Sequence, residues 1–339
     1  MLQLKNETPF KAAIAVLPNE KAIDTVYVII KATFSLGRKL EVAEKQSPVV
    51  TADEYWGEPG KSSLKYASEF HLTKPSTDIV MIGEACAPNK RRVEQLDVLL
   101  QVGALKKMIR IFGDRKWVDD VLGLGISHPV PFETMPVVYE RAFGGVHELD
   151  IEKQQVFFDA HNPVGTGFKG KKSNREIKGS ALPNLEDPLR LISKPEDQPV
   201  PACFGYVAPS WEPRKSFAGT YDEGWMKKRA PYLPADFNRR YFNSAHPDLV
   251  CRDYLKGGEP VAITNMSASG PLKFSLPQCE FDVLVEIAER TERPAIHLET
   301  VLIEPNENRL CLSWRGAVEC DKKVLKVRQV KVGLKSMTC

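Results

Sequence analysis

Two stretches near the start of the chain decide the fold: Phe10-Lys-Ala-Ala-Ile-Ala-Val16 and Val28-Ile-Ile-Lys-Ala-Thr-Phe34. In each stretch, apolar residues recur at every second position, which places them on one face of a strand. Between them, Pro18-Asn19-Glu20 has the composition of a turn. The chain therefore begins with two predicted strands joined by a turn.

The same period of two recurs along the chain, whereas the three-to-four spacing of an amphipathic helix is rarely sustained. Residues 96–102 and 109–112 predict a second hairpin. Further alternating runs at 281–287, 296–303 and 310–314 predict a meander near the end of the chain. We therefore expect a mainly β fold, with a β-sandwich or barrel-like scaffold and few short helices.

A stretch of different character separates the two β-rich portions. Residues 159–235 contain many prolines, which interrupt strands and helices, yet aromatic residues are interleaved with them. We expect a long, irregular Pro/aromatic-rich segment packed over the scaffold, with one helix capped by Asp236. The predicted division is an N-terminal β-rich domain at 1–158, the irregular segment at 159–245 and a C-terminal β-meander at 246–339.

Composition and charge are those of an ordinary globular protein. Of the 339 residues, 42% are hydrophobic and 27% are charged, and 47 Lys and Arg against 44 Asp and Glu leave a net charge of +3. This balance disfavours a dedicated binder of nucleic acid or anionic membranes. No apolar run approaches the roughly 18 residues that cross a bilayer, and no signal core is present at the start. We expect a cytoplasmic protein with no nucleic-acid or membrane partner.

No motif for cofactor, metal or nucleophile chemistry is complete. Gly165-Thr-Gly-Phe-Lys-Gly170 matches the dinucleotide-binding fingerprint, but it follows Asn162-Pro163 instead of a buried strand, and a lysine-rich stretch comes after it. Seven cysteines and six histidines are scattered without the spacing of a zinc site or disulfide framework. We expect no cofactor, no metal site and no catalytic residues.

Three carboxylates are compatible with one class of enzyme, a carbohydrate-active hydrolase. Glu140, Asp222 and Asp236 are candidates for the paired acids of a carbohydrate-active hydrolase on a β scaffold, in which one group protonates and the other acts as base or nucleophile. Asp236 also fits a helix cap, and Asp222 fits a turn. The hydrolase is the alternative function.

The densest group of aromatic and basic side chains lies at residues 219–237. Aromatic residues with Arg and Met are typical of protein–protein hot spots. In the competing interpretation, Trp225 and Tyr232 are core residues and Arg229 neutralises a buried carboxylate. We predict a partner-binding surface in and just before this stretch, formed by Trp211, Arg214, Tyr221, Trp225, Arg229 and Tyr232.

A series of short motifs runs in order along most of the chain. They are Lys31-Ala-Thr-Phe34, Thr77-Asp-Ile-Val80 with Gly83, Gly113-Asp-Arg-Lys-Trp117, Glu140-Arg-Ala-Phe-Gly-Gly145, Asn162-Pro-Val-Gly-Thr-Gly167, Leu182-Pro-Asn-Leu-Glu186, Phe204-Gly205 with Trp211 and Arg214, and residues 219–242. In this order they resemble domain-of-unknown-function family 2169, a bacterial family whose genes accompany those of type VI secretion spikes and effectors. The apparent dinucleotide fingerprint begins inside one of these motifs.

The resemblance implies an adaptor, or chaperone, that loads a secreted effector onto the secretion spike. It implies two partners, the effector and the spike with its PAAR-type tip protein. It carries no catalytic residue and no mapped binding surface over to this chain. The expected function is a non-enzymatic, cytoplasmic adaptor.

Overall fold

Strands dominate the structure, a computed structural model that describes residues 2–37, 39–121, 123–150, 155–320 and 324–339. The strands in these residues are β1 (Gln3–Asn6), β2 (Lys11–Pro18), β3 (Asp24–Ser35), β4 (Glu41–Val42), β5 (Glu54–Tyr55), β6 (Leu64–Tyr66), β7 (Asp78–Met81), β8 (Glu84–Cys86), β9 (Gln95–Val102), β10 (Leu105–Phe112), β11 (Trp117–Asp120), β12 (Gly123–Ile126), β13 (Thr134–Pro136), β14 (Phe143–Gly144), β15 (Val146–Asp150), β16 (Gln155–Phe158), β17 (Thr166–Gly167), β18 (Leu185–Glu186), β19 (Pro260–Thr264), β20 (Leu272–Ser275), β21 (Gln278–Ile287), β22 (Arg290–Glu292), β23 (His297–Glu304), β24 (Arg309–Glu319) and β25 (Val327–Thr338). The prediction of a mainly β fold is confirmed.

Helices are few and short in the same residues. The α-helices are α1 (Asn174–Ile177) and α2 (Glu223–Lys228). The 3-10 turns are Pro88–Lys90, Tyr139–Arg141, Lys215–Phe217, Arg239–Phe242, Pro247–Leu249, Pro305–Glu307 and Val324–Lys326. No helix in the described parts of the chain is long and apolar enough to cross a membrane.

Three sheets form the scaffold, and each joins strands that are distant in sequence. The largest has the order β2-β3-β24-β23-β7, with β4 paired to β3, the second is β18-β10-β9-β19-β20, and the third is β1-β25-β21-β22. β3 pairs with β24, β9 with β19, and β1 with β25. The sheets therefore draw strands from both sides of the predicted boundaries at 158 and 245.

The two predicted hairpins are present, whereas the predicted terminal meander is present only in its last two strands. β2 pairs antiparallel with β3, and β9 with β10. β21 pairs with β25 in the third sheet, while β23 and β24 are neighbours in the largest sheet. The chain changes sheet between Glu292, the end of β22, and His297. Alternation assigns the faces of a strand but not its partner, so it could not reveal this change.

Both faces of β3 are buried. Its even-numbered residues, from Val28 to Phe34, lie in the main core that the three sheets share. On the opposite face, Tyr27 and Ile29 are covered by a smaller cluster that includes Leu233 and Phe242 of the irregular segment. The irregular segment therefore contacts this face of β3 through Leu233 and Phe242.

A row of polar side chains crosses this second face of the largest sheet. Four residues lie opposite one another in register on adjacent strands: Asp78, Thr300, Ser313 and Lys31. Three buried ion pairs are formed on or beside this row: Lys31 Nζ to Glu69 Oε2 (2.8 Å), Lys74 Nζ to Asp78 Oδ2 (2.6 Å) and Arg315 Nε to Glu299 Oε2 (2.7 Å). Buried charges persist only when they are paired and hydrogen-bonded.

Asp78 joins the irregular segment to this row. Its carboxylate has no solvent exposure. It accepts hydrogen bonds from Asn243 Nδ2 (2.8 Å) and from the backbone N–H of Ser244 (2.8 Å), in addition to the Lys74 ammonium. The segment is thus fixed to the scaffold by polar contacts as well as by apolar packing.

We expect Asp78→Asn to lower the free energy of unfolding by about 3–5 kcal/mol, because it leaves the Lys74 ammonium buried without a counter-charge. Urea unfolding measures the change. The matched control is Glu58→Gln, which removes the charge from an exposed ion pair with Lys61 and should change stability by less than about 1 kcal/mol. A loss below about 1 kcal/mol for Asp78→Asn would contradict the anchoring role.

Stability should also fall with acid because His246 is buried in its neutral form. Its Nε2 donates to the carbonyl oxygen of Pro201 (3.1 Å), and its Nδ1 accepts from the backbone N–H of Asp248 (3.2 Å). Burial, and then the charge of Lys107, lowers its pKa to about 4. As pH falls below about 6.5, the unfolded chain therefore takes up a proton that the folded chain refuses.

Between pH 7 and pH 5 we expect His246 to remove about 2 kcal/mol from the free energy of unfolding. Urea unfolding at both pH values, compared with His246→Gln, isolates this contribution, because the variant should lose most of that pH dependence. His128→Gln, at an exposed position, is the control and should retain it. Equal pH dependence in wild type and His246→Gln would exclude His246 as the source.

Candidate functional site

An exposed, largely apolar hairpin is formed by β15 and β16, and the sequence analysis did not identify it. Val146 lies opposite Phe158 in register, and Val156 is two residues away on the same face. All three side chains are exposed, Phe158 by 52%. Leu149, at the irregularity in the pairing, is also exposed. We call residues 146–150 and 155–158 the apolar hairpin.

The other face of the apolar hairpin contacts the lysine-rich stretch after Gly170, at Lys171. His147 is buried, and its Nδ1 accepts from the backbone N–H of Lys171 (3.0 Å). The Lys171 ammonium lies 5.5 Å from the centre of the Phe157 ring. The hairpin is therefore held from one side, and its outer apolar face is left to solvent.

A second exposed group lies around α2. The Tyr221 and Trp225 rings meet edge to face at 4.7 Å, and Trp225 Nε1 donates to the carbonyl oxygen of Tyr232 (2.8 Å). Tyr221, Met226 and Tyr232 are exposed, and Trp225 is partly buried. We call these four residues the aromatic ledge. Three of the six predicted partner-binding residues are thus brought together at the surface.

Two of the other three predicted residues, Trp211 and Arg214, are buried. Trp211 is buried against Tyr139, with the rings edge to face at 5.4 Å. Arg214 is buried and donates to the carbonyl oxygens of Val207 (2.6 Å) and Tyr241 (2.9 Å). A partner bound to the surface of this folded structure would not contact Trp211, because its side chain is buried.

Arg229 ties the irregular segment to the first hairpin. Its Nε donates to the carbonyl oxygen of Leu233 (2.7 Å), and its Nη2 donates to the carbonyl oxygen of Glu20. The competing interpretation, in which it neutralises a buried carboxylate, is therefore wrong at this residue. The assignment of Tyr232 to the core is also wrong, because its side chain is exposed.

The two aspartates of the segment have local structural partners. Asp222 is not a turn residue: it caps α2 by accepting from the backbone N–H of Trp225 (2.7 Å). The predicted cap at Asp236 is wrong, since Asn238 caps the 3-10 turn that follows. Asp236 instead accepts from the backbone N–H (3.0 Å) and hydroxyl (2.7 Å) of Thr220, and these bonds lower its pKa.

Glu140, the third candidate acid, lines a cavity of about 740 Å³ that neither aspartate lines. Trp56, Tyr66 and Glu304 also line it. The Glu140 carboxylate accepts from the backbone N–H (2.6 Å) and hydroxyl (2.7 Å) of Ser63. These bonds fix the end of the loop between β5 and β6, a structural task for the carboxylate.

The glycine motif after Asn162 serves close backbone packing. The buried Asn162 side chain donates to the carbonyl oxygens of Tyr139 (2.7 Å) and Phe143 (2.9 Å). A Cβ on Gly144, whose φ is +145°, would lie 2.1 Å from the Asn162 carbonyl oxygen, and one on Gly165 would lie 2.4 Å from Asn162 Nδ2. The residues after Gly170 form a turn and the short α1, so the helix of a dinucleotide site is missing from this described stretch.

Residues 21–315 match the family model described as "Uncharacterized protein conserved in bacteria (DUF2169)". The chain belongs to this family. No curated protein and no solved structure matches it. Within the DUF2169 match lie both exposed groups described above, the apolar hairpin and the aromatic ledge. In the described residues, no group of three or more His, Cys, Asp or Glu side chains is placed to hold a metal ion.

For this member of DUF2169 we expect Ser63→Ala and Glu140→Gln each to lower the free energy of unfolding by about 1–3 kcal/mol, because the first removes the hydroxyl donor and the second removes the charge and one acceptor oxygen of the carboxylate. The double variant should lose less than the sum by about 1 kcal/mol, since the two side chains share one interaction. Urea unfolding of the four proteins gives the cycle. Glu148→Gln, at an exposed site, is the control. Additive losses would mean that Ser63 is not the partner that stabilises Glu140.

Proposed function

We propose that the protein is a cytoplasmic adaptor, or chaperone, that binds a type VI secretion effector and promotes its loading onto the spike and its PAAR-type tip protein. Membership of DUF2169 over residues 21–315 and the ordered motifs that resemble effector adaptors support the proposal. The adaptor acts by binding energy and needs no covalent chemistry.

The observation that carries the proposal is the outer face of the apolar hairpin. Large contiguous apolar patches are uncommon on monomeric proteins, and those that are exposed often mark binding sites. Val146, Val156 and Phe158 form such a patch on a two-stranded sheet. Neither β15 nor β16 pairs with a third strand within the described residues. The hairpin therefore offers both apolar side chains and unpaired backbone edges to a client chain.

The aromatic ledge provides a second contact. Tyr221 and Tyr232 each combine an apolar ring with a polar hydroxyl, which suits an interface that forms and dissociates reversibly in water. A chaperone must cover the apolar surface of its client and then yield it to the spike. Release follows from mass action once the assembled spike offers a tighter interface.

We expect Val146→Thr, Val156→Thr and Phe158→Thr each to weaken effector binding by about tenfold or more, because central apolar contacts carry much of the energy of an interface. Tagged protein purified gently from its host, with the secretion genes expressed, identifies the effector by mass spectrometry. Titration of the purified pair then gives the affinity of each variant.

Val121→Thr is the matched control, because Val121 is 96% exposed at a different site. It should leave effector affinity unchanged, and all four variants should keep the free energy of unfolding within about 0.5 kcal/mol. Purification of the chain without any stoichiometric effector or tip protein would count against the adaptor. Full affinity in all three hairpin variants would remove the hairpin as the contact.

The carbohydrate-active hydrolase is the second candidate, and the cavity at Glu140 is the observation that favours it. Aromatic Trp56 and Tyr66 line that cavity together with several carboxylates, a lining suited to sugar rings. Hydrolysis in a panel of glycans, lost in Glu140→Gln, would support this function. The absence of hydrolysis with wild-type protein, with and without divalent metal ions, would count against it.

A further inference from the structure

A cavity of about 400 Å³ lies between the irregular segment and the 247–252 turn. The charged side chains described in its lining are all positive. Three arginines line it: Arg214, Arg240 and Arg252. Among the described residues, no aspartate or glutamate lines it. The rest of the wall is largely apolar and includes Phe217 and Val250. Ligand sites commonly combine such an apolar wall with a few charged groups.

Two of the arginines that line the cavity, Arg240 and Arg252, are not neutralised by a carboxylate of the described residues. Neither Arg240 nor Arg252 forms an ion pair with a carboxylate in the described parts of the chain. The preceding residue, Arg239, shows the contrast, because its Nη2 lies 2.6 Å from Glu20 Oε1. Arg240 instead places its guanidinium 5.9 Å from the centre of the Phe217 ring. Stacking on an aromatic ring orients a guanidinium and leaves its N–H groups free to bind an anion.

Arg214 places a third positive charge in the wall. Its Nε and Nη1 donate to backbone carbonyls, and its Nη2 makes no hydrogen bond to the described residues. Burial lowers its pKa, and the nearby carboxylates of Asp53 and Asp78 oppose that effect. Neither aspartate lines the cavity, and Asp78 is already paired with Lys74. An arginine side chain stays charged in proteins, so the wall retains an unneutralised cation.

We propose that this cavity is an oxyanion-binding site, which takes a carboxylate or phosphate group carried on a partly apolar molecule. The planar guanidinium groups match the geometry of both oxyanions. The apolar wall accepts the body of the ligand. This inference does not depend on the adaptor role, so either can fail without the other.

The protein, residues 1–339, is titrated by calorimetry with two probes, phenyl phosphate and 3-phenylpropionate. Each carries one of the two oxyanions on the same kind of apolar body, so their relative affinities identify the preferred anion. The neutral 3-phenylpropanamide is the control ligand and should not bind measurably. Saturable binding of at least one anion is the expected result.

We expect Arg240→Gln and Arg252→Gln each to weaken that binding about tenfold, because each removes a charge-assisted hydrogen bond. Both side chains are exposed, so both variants should fold. Arg92→Gln is the matched control at an exposed site outside the cavity and should bind like wild type. The proposal is overturned if neither anion binds, if the amide binds equally well, or if the two cavity variants bind like Arg92→Gln.

Discussion

The burial of the Asp78 carboxylate is the constraint on which the arrangement of the irregular segment depends. A carboxylate without solvent exposure is tolerated only when donors surround it. Those donors come from three places: the Lys74 ammonium, the Asn243 amide and the Ser244 backbone. Once Asp78 is placed at the start of β7, residues 243–244 must lie beside it. The long segment that precedes them is thereby held over the second face of the largest sheet.

The sequence predicts those parts of the fold that depend on neighbouring strands. The hairpins β2–β3 and β9–β10 follow from alternation because their partners are adjacent along the chain. The pairings of β3 with β24 and of β1 with β25 join the two ends of the chain. A period of two is the same whichever partner a strand takes, and for that reason the placement of β21 in a different sheet from β23 and β24 was not predicted.

The exposure of the proposed binding residues was predictable only in part, because the irregular segment has no period. Without one, composition alone cannot separate the buried Trp211 from the exposed Tyr221. Local signals did exist: Ser173 and Glu176 form a capping box, which marks the start of α1 in the lysine-rich stretch after Gly170. The apolar hairpin could not be predicted as exposed, because alternating apolar residues on an exposed strand face give the same sequence pattern as those on a buried face.

Two of the motifs that define the family resemblance map onto the polar row. Lys31 belongs to the first motif and Asp78 to the second, and they end the same row of residues across the largest sheet. Such buried polar groups cost free energy unless every partner is present, so they specify one arrangement of the covering segment. Asn243 both binds Asp78 and lines the cavity proposed to bind an oxyanion. An anion that occupies that cavity would therefore stabilise the segment in its anchored position, because a ligand that binds only the folded arrangement shifts the equilibrium toward it.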